Sequence, residues 1–206
     1  MKENLIFYSP LPAGSNSPSE ARGLTASDGG SDSHLGAGVT ILNKHQLKIT
    51  IERLACQVVE NYDDLSSVVL IGLQPRGIFL ADKIFRQLGE IIPGQNILYG
   101  KLDITFYRDD IRKELHEANQ TDISFSLEEK NVILIDDVLY TGRTIRAALD
   151  ALLSFGRPKK VELCVLINRR FSRQLPIQPD YCGKSIDSII SQKVIVQWDR
   201  EEVKLY

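Results

Sequence analysis

Residues 132–144, with the sequence VILIDDVLYTGRT, constrain the fold of this chain more than any other stretch. The stretch begins with four consecutive β-branched or leucine residues and lacks the apolar–polar alternation of a half-exposed strand. Such a run is typical of a strand that is buried on both faces in a parallel sheet. Two carboxylates, Asp136 and Asp137, follow directly. We therefore expect both acids where this strand emerges at the carboxyl-terminal edge of a sheet.

A short polar turn and an amphipathic helix are expected after the strand. The turn spans residues 140–144 and contains Gly142, with hydroxyl donors at Thr141 and Thr144. The apolar residues that follow recur at helical spacing. This order creates an anion site, because backbone N–H groups and a helix N-terminus point at one place and glycine permits close approach. Two acids beside it suit a phosphorylated sugar. The alternative is an ordinary turn with a solvated acidic pair.

These residues resemble the phosphoribosyl diphosphate (PRPP) loop of type I phosphoribosyltransferases. In that family the two acids hold the ribose 2′- and 3′-hydroxyl groups, and the amides of the turn hold the 5′-phosphate. The resemblance therefore makes Asp136 and Asp137 candidate catalytic residues. The motif lacks the Gly-Lys-Ser/Thr ending of a Walker loop and the Gly-x-Gly-x-x-Gly of dinucleotide folds. The implied substrate contacts are Val138, Leu139, Tyr140, Thr141, Gly142, Arg143 and Thr144.

A second buried strand with an anion-facing turn is expected at residues 68–77. Its apolar run, VVLIGL, precedes the turn Gln-Pro-Arg-Gly and a segment with helical apolar spacing. Proline near a helix start and arginine in the turn favour an anion site. In the type I plan this loop receives pyrophosphate, so the candidate substrate-binding residues are Pro75, Arg76 and Gly77. The alternative is that Arg76 merely caps the helix.

A strand at residues 97–106 and a long polar stretch at residues 107–127 are predicted next. A long stretch without periodicity inside a compact domain is typical of a functional lid or a disordered segment. Phosphoribosyl transfer passes through an oxocarbenium-like centre, from which a closing loop excludes water. Arg108, at the base of this stretch, is a candidate catalytic residue that reaches the pyrophosphate.

Several segments together resemble the PyrR family of bifunctional pyrimidine operon regulators and uracil phosphoribosyltransferases. They are LDITFYRDDI, ILIDDVLYTGRTIRAALDAL, FGRP and LPIQPDYCGKSI, and they cover the chain from about residue 41 onward. The resemblance implies transfer of ribose 5-phosphate from PRPP to uracil in pyrimidine salvage, which gives UMP and pyrophosphate. It implies Mg²⁺ carried by PRPP rather than by the protein. It also implies a hood over the base, substrate contacts from Val194 and Arg169, and a homodimer or higher homo-oligomer.

Binding of an mRNA leader is a second function that the same resemblance implies. The candidate RNA-binding residues are Arg170, Arg173 and Lys184, which form a local basic cluster. The chain departs from the family here, since residues 168–173 read Asn-Arg-Arg-Phe-Ser-Arg where the family usually has Asp-Arg-Gly-His-Arg. Glu52 and Cys56 also replace the Thr and His of RNA-binding members, and Glu52 opposes RNA phosphate. A nucleotide-sensing regulator with little catalysis and a transferase for another base are the alternatives.

Composition indicates one globular domain with an unusual N-terminal segment. The chain has 206 residues, of which 43% are apolar and 25% are charged. Residues 1–38 are rich in Ser, Gly and Pro, so we expect a disordered or low-complexity extension before a phosphoribosyltransferase domain at residues 39–206. The expected fold class is α/β. It comprises a mainly parallel twisted sheet flanked by helices, a small hood and a flexible catalytic loop.

Charge and cysteine content narrow the expected partners and location. The net charge of −2 gives no global indication of nucleic-acid binding, and no apolar run reaches the roughly 18 residues of a membrane span. DNA and membranes are therefore not expected partners. The three cysteines, Cys56, Cys164 and Cys182, are scattered and lack metal-ligand spacing. They favour reduced thiols in a cytoplasmic protein with no protein-bound metal.

Overall fold

The structure is a computed structural model that describes residues 38–62, 64–107 and 120–206. The extension predicted at the N-terminus therefore lies, up to residue 37, outside the described residues, as does Arg108. The strands are β1 (Val39–Leu42), β2 (Val68–Leu73), β3 (Leu98–Leu102), β4 (Asn131–Leu139), β5 (Lys160–Arg170), β6 (Tyr181–Asp187), β7 (Val194–Gln197) and β8 (Glu202–Leu205). The α-helices are α1 (Lys44–Asn61), α2 (Gly77–Ile91) and α3 (Arg143–Leu152).

A five-stranded sheet with the order β3-β2-β4-β5-β6 forms the centre of the domain, and every neighbouring pair is parallel. All six residues of β2 are buried, as its unbroken apolar sequence predicts. One apolar cluster packs α1 and α2 on one face of the sheet, and a second packs α3 on the other. The predicted α/β fold with a mainly parallel sheet between helices is confirmed.

A smaller antiparallel sheet with the order β1-β8-β7 forms the predicted hood, and we call it the hood sheet. Its strand β1 comes from the start of the domain and pairs with β8 at the end of the chain. Glu201, just before β8, accepts ion pairs from Lys44 at 2.7 Å and Lys83 at 3.1 Å. These contacts attach the hood sheet to the first turn of α1 and to α2.

The cap and the apolar face of helix α1 are both encoded in its local sequence. The Asn43 side chain accepts a hydrogen bond from the Gln46 N–H at 2.9 Å, and Gln46 Oε1 accepts one from the Asn43 N–H at 3.0 Å. This reciprocal pair is a capping box, which satisfies N–H groups that have no partner within the helix. The buried residues on its apolar face are Leu47, Thr50, Ile51, Leu54, Ala55 and Val58.

Two predicted boundaries differ from the structure. Strand β3 ends at Leu102 rather than at residue 106, because the Asp103 carboxylate accepts bonds from the Thr105 N–H and hydroxyl at 2.9 and 2.6 Å and turns the chain. The end predicted for the long polar stretch, residue 127, is also too late in the chain. Asp122 forms a bridge to Lys101 of β3, and Leu127 is fully buried, so residues 120–127 belong to the packed domain.

Two further observations concern the described residues as a whole. None of their helices is long and apolar enough to cross a membrane. The three cysteines carry free thiols, as predicted, and Cys164 is fully buried in β5.

Candidate functional site

The carboxyl-terminal ends of β2 and β4 bring the two predicted loops together. Gly77, the first residue of α2, lies so close to β4 that a Cβ atom there would be 2.5 Å from the Ile135 carbonyl oxygen and 3.0 Å from the Asp136 Cα. Only glycine permits this approach without a shift. The turn that contains Pro75, whose preceding peptide bond is cis, and the exposed Arg76 therefore lies beside the acid pair.

The two acids lie inside β4 rather than after it, since β4 continues to Leu139. Asp136 is 8% exposed and Asp137 is 6% exposed. The Asp137 N–H donates to Asp136 Oδ1 at 2.9 Å, and the Val138 N–H donates to the Asp137 carboxylate. Burial raises the pKa of Asp137, and the positive charge of Arg76 opposes that shift. The pair thus presents acceptor oxygens in a poorly solvated place.

The turn after β4 has the backbone geometry of an anion site. Gly142 adopts a left-handed conformation with φ of 92° and precedes α3 without a side-chain cap. An uncapped helix start leaves N–H groups available to a ligand, and its dipole favours negative charge. A cavity of about 410 Å³ lies over the turn. Its lining residues are Asp136, Val138, Leu139, Tyr140, Thr141, Gly142, Arg143, Thr144, Ile145 and Gln174.

Gln174 also shapes this cavity, although it is not among the residues predicted from the sequence. Its N–H donates to the Thr141 carbonyl at 3.0 Å, and its Oε1 accepts from Arg143 Nε at 2.8 Å. Ile177, a few residues later, also borders the turn, since a Cβ on Gly142 would be 3.3 Å from its Cδ1. Gln174 lies some thirty positions from the turn in an irregular segment, so no local pattern could have identified it.

The structure places the predicted substrate contacts Arg169 and Val194 on two different sheets. Val194 is the first residue of β7 and is largely buried in the hood sheet. Arg169 lies near the end of β5 and is only 4% exposed. Its guanidinium carbon lies 4.0 Å from the centroid of the Tyr140 ring, so Arg169 contacts the turn after β4. The hydrogen bonds of the Arg169 side chain go to residues 188–192 of the same chain.

Each of the three candidate RNA-binding residues has a partner within the chain. Arg170 Nε pairs with Asp187 Oδ1 at 2.6 Å, and both side chains are more than half exposed. Arg173 donates to the Tyr140 carbonyl and to Asn168 Oδ1. Lys184 Nζ donates to the Ile41 carbonyl at 3.0 Å. Ion pairs and hydrogen bonds within the chain therefore occupy some of the donors of these cations. Arg173 also stabilises the turn after β4 through its bond to the Tyr140 carbonyl.

Similar proteins of known family define the wider context of this site. The phosphoribosyl transferase domain family matches residues 38–201. The chain is 46% identical over 159 residues to the bifunctional protein PyrR of Picosynechococcus sp., covering 77% of this chain and 89% of that protein. It is 40% identical over 163 residues to the bifunctional protein PyrR of Bacillus subtilis, with the same two coverages of 77% and 89%.

Solved structures of lower identity share the fold. A hypoxanthine-guanine phosphoribosyltransferase from Bacillus anthracis has a TM-score of 0.64 at 17% identity, covering 82% of this chain and 98% of that one. The hypoxanthine phosphoribosyltransferase of Trypanosoma cruzi also has a TM-score of 0.64, at 16% identity, with coverages of 82% and 96%. Together with relatives of 40–46% identity along most of their length, the match across residues 38–201 shows that the chain belongs to the phosphoribosyl transferase domain family and, within it, to the bifunctional PyrR proteins.

Proposed function

We propose that this chain is a uracil phosphoribosyltransferase that converts PRPP and uracil to UMP and pyrophosphate. The observation that carries the proposal is the acid pair Asp136–Asp137 beside the 410 Å³ cavity over the uncapped start of α3. That arrangement suits a ribose with two free hydroxyl groups and a 5′-phosphate. Its membership of the bifunctional PyrR proteins supports a pyrimidine base.

The proposed chemistry relies on positioning and electrostatics rather than on a covalent intermediate. The bond between ribose C1 and the pyrophosphate oxygen breaks, the bond from C1 to uracil N1 forms, and the N1 proton is released. Asp136 and Asp137 accept hydrogen bonds from the ribose hydroxyl groups and favour positive charge at C1. The turn after β4 holds the 5′-phosphate. Arg76, together with Arg108, stabilises the departing pyrophosphate, and the backbone near Val194 contacts the base.

Magnesium is proposed to arrive bound to PRPP. Within the described ranges, no group of three or more His, Cys, Asp or Glu side chains is arranged to hold a metal ion. The donors at the site are carboxylate oxygens, which suit a hard cation that keeps most of its ligands from phosphate and water. Asp136 and Asp137 are the residues that such an ion would meet. When bound, it would neutralise charge on the pyrophosphate.

Pyrophosphate release with PRPP and magnesium tests the proposal directly. Uracil is compared with hypoxanthine, guanine, adenine and orotate. We expect turnover with uracil alone and a loss of at least about 100-fold in the Asp136→Asn, Asp137→Asn double variant. Asp150→Asn, an exposed acid on α3, is the matched control and should retain full activity.

Other outcomes of that assay have definite meanings. Turnover with a different base alone would leave the chemistry intact and make uracil the wrong substrate. Binding of UMP or PRPP without turnover on any base would favour a nucleotide-sensing regulator. We also propose a cytoplasmic homo-oligomer with its catalytic domain at residues 39–206, as the resemblance to the family implies.

Nucleotide-dependent binding of an mRNA leader is the second candidate function. It is supported by the exposed cation Arg170 near β6 and by the membership of the bifunctional proteins. The intrachain partners of Arg170, Arg173 and Lys184 weaken it, because RNA phosphate would have to compete with them. Filter binding of a pyrimidine-operon leader RNA at two salt concentrations, with and without UMP, tests it. If the chain binds RNA, Arg170→Gln and Lys184→Gln should each reduce the slope of log affinity against log salt concentration by about one.

A further inference from the structure

We infer that Arg169 is a positioning residue that fixes the base-contacting hood to the 5′-phosphate loop, so that nucleotide affinity depends on it through the base. The inference rests on the proposed function. It departs from the expectation that Arg169 contacts the substrate itself. Three observations carry it: the contacts with the loop at residues 188–192, which we call the hood loop, the contact with Tyr140, and the absence of a carboxylate partner among the described residues.

The first group of contacts joins Arg169 to the loop at residues 188–192, which leads into β7. Arg169 Nε donates to Ser188 Oγ at 2.8 Å. Its Nη2 donates to the Ile189 carbonyl at 2.9 Å and to the Gln192 carbonyl at 2.9 Å. One buried side chain therefore fixes both ends of this loop. Since Gln192 lies two residues before Val194, the same bonds set where the hood strand begins.

The second contact joins Arg169 to the 5′-phosphate loop. Its guanidinium lies 4.0 Å from the ring centroid of Tyr140, the first residue after β4. A cation at this distance over an aromatic face is held by the ring quadrupole, more strongly where water is excluded. Only arginine can stack on a ring with its planar group while its edge donates to several oxygens. The phosphate loop and the hood loop are thus attached to opposite parts of one side chain.

The charge of Arg169 has no acidic partner among the described residues. Its acceptors are a hydroxyl and two carbonyl groups, although the side chain is 4% exposed. Neighbouring Arg170, by contrast, pairs with Asp187. A buried cation held only by neutral acceptors is expensive to retain for stability alone. The planar guanidinium joins residues 188–192 to Tyr140, so the geometry of these contacts rather than the charge itself explains why arginine is retained here.

Calorimetry with two ligands tests the inference without requiring turnover. UMP reports the phosphate loop and the hood together, whereas ribose 5-phosphate lacks a base and reports the loop alone. In Arg169→Gln we expect UMP to bind about 10- to 100-fold more weakly, as expected when hydrogen bonds from a charged group are lost. Ribose 5-phosphate should change by less than about threefold, because the loop backbone remains. Arg169→Lys should resemble Arg169→Gln, since lysine lacks the planar fork.

The controls separate positioning from misfolding. Arg157→Lys changes an exposed arginine at the opposite edge of the sheet and should leave both affinities unchanged. Thermal unfolding shows whether each variant is folded. If Arg169→Gln does not fold, Tyr140→Leu and Ser188→Ala each remove one contact and should weaken UMP more than ribose 5-phosphate.

The remaining outcomes distinguish failure of this inference from failure of the proposed function. If Arg169→Gln weakened the binding of UMP and of ribose 5-phosphate equally, Arg169 would act on the phosphate directly. If it weakened the binding of neither ligand, Arg169 would affect neither the phosphate nor the base. Either result overturns the inference. If the wild type prefers another nucleotide to UMP, the uracil proposal fails, and the same comparison with that nucleotide decides the inference. If no nucleotide binds more tightly than ribose 5-phosphate, the hood contributes nothing and the inference fails.

Discussion

Asp137 is the residue at which stability and the proposed function oppose each other most directly. Burial raises its pKa above the ordinary value of 3.8, so the fold disfavours its ionised form. The attraction of Arg76 offsets only part of that cost. A site that binds ribose hydroxyl groups nonetheless needs carboxylate acceptors in a poorly solvated place. Under the proposed function, the acid pair serves binding at a cost in stability.

Asp137→Asn should stabilise the fold and abolish turnover. The amide keeps an acceptor for the Val138 N–H while it removes the buried charge, so we expect a gain of about 1 kcal/mol near neutral pH. Because the pKa of Asp137 is raised in the folded state, wild-type stability falls as pH rises from about 4 through that raised pKa. The difference between variant and wild type should therefore vanish in acid and grow with pH. Thermal unfolding at several pH values measures it, and a destabilised variant at pH 8 would contradict the argument.

The placement of residues that depends on chain neighbours was predictable from the sequence, and contacts made across the fold were not. Asp136 and Gly142 belong to one continuous strand–turn–helix pattern, so a short sequence window contains their whole context. Gln174 contacts the turn after β4 only because β5 returns the chain to the edge where β4 ends. Arg169 was predicted from resemblance as a substrate contact, yet its hydrogen-bond partners come from residues 188–192. No local pattern specifies such pairings.

At the scale of elements, the approach of α2 to β4 places the two proposed substrate loops side by side. Gly77→Ala places a methyl group 2.5 Å from the Ile135 carbonyl oxygen, which is backbone and cannot rotate away. The helix start must shift, at a cost of about 1–3 kcal/mol in folding stability. Arg76 would move with it, so kcat/KM for PRPP should fall by about 10- to 100-fold. Steady-state kinetics and thermal unfolding measure the two effects.

Gly89→Ala provides the matched control within the same helix. A Cβ atom at Gly89 would meet nothing within 4 Å, and the residue is exposed. Alanine there should stabilise α2 by about 0.5–1 kcal/mol and leave the kinetics unchanged. If Gly77→Ala retained the wild-type KM for PRPP, the close approach would not be what aligns the loops.

The elements that the sequence predicts well are those whose burial leaves a strong pattern. The central strands β2, β4 and β5 are continuous apolar runs, and α1 carries its own cap. Strand β6 was missed because it is an edge strand with a mostly polar sequence. One of its carbonyl groups, that of Cys182, accepts a hydrogen bond from Arg53 at 3.3 Å. Strand β8 was also missed, because an apolar–polar alternation over only four residues is too short to indicate a strand.

At the scale of the whole molecule, a buried cluster around Glu162 fastens α1 to the sheet at the edge opposite the site. Glu162, near the start of β5, accepts hydrogen bonds from Tyr62 at 2.5 Å and from Tyr181 at 3.0 Å, and it pairs with Lys160. Tyr62 directly follows α1, and Tyr181 begins β6. Burial raises the pKa of both tyrosines, so they remain protonated donors at neutral pH. One carboxylate thus joins three elements distant in sequence.

This cluster should set the acid stability of the domain. Burial alone would raise the pKa of Glu162, but the bonds from Lys160, Tyr62 and Tyr181 outweigh it and lower the pKa below 4.5. A lowered folded-state pKa means that the cluster stabilises the fold above about pH 4.5 and loses this contribution as pH falls through the lowered value. Glu162→Gln should therefore destabilise the protein by about 1–3 kcal/mol at pH 7, with the difference from wild type shrinking in acid. Glu60→Gln, an exposed acid on α1, should show neither effect. Thermal unfolding across this pH range measures both variants, and a Glu162→Gln deficit that stayed constant with pH would show that packing rather than charge holds α1 in place.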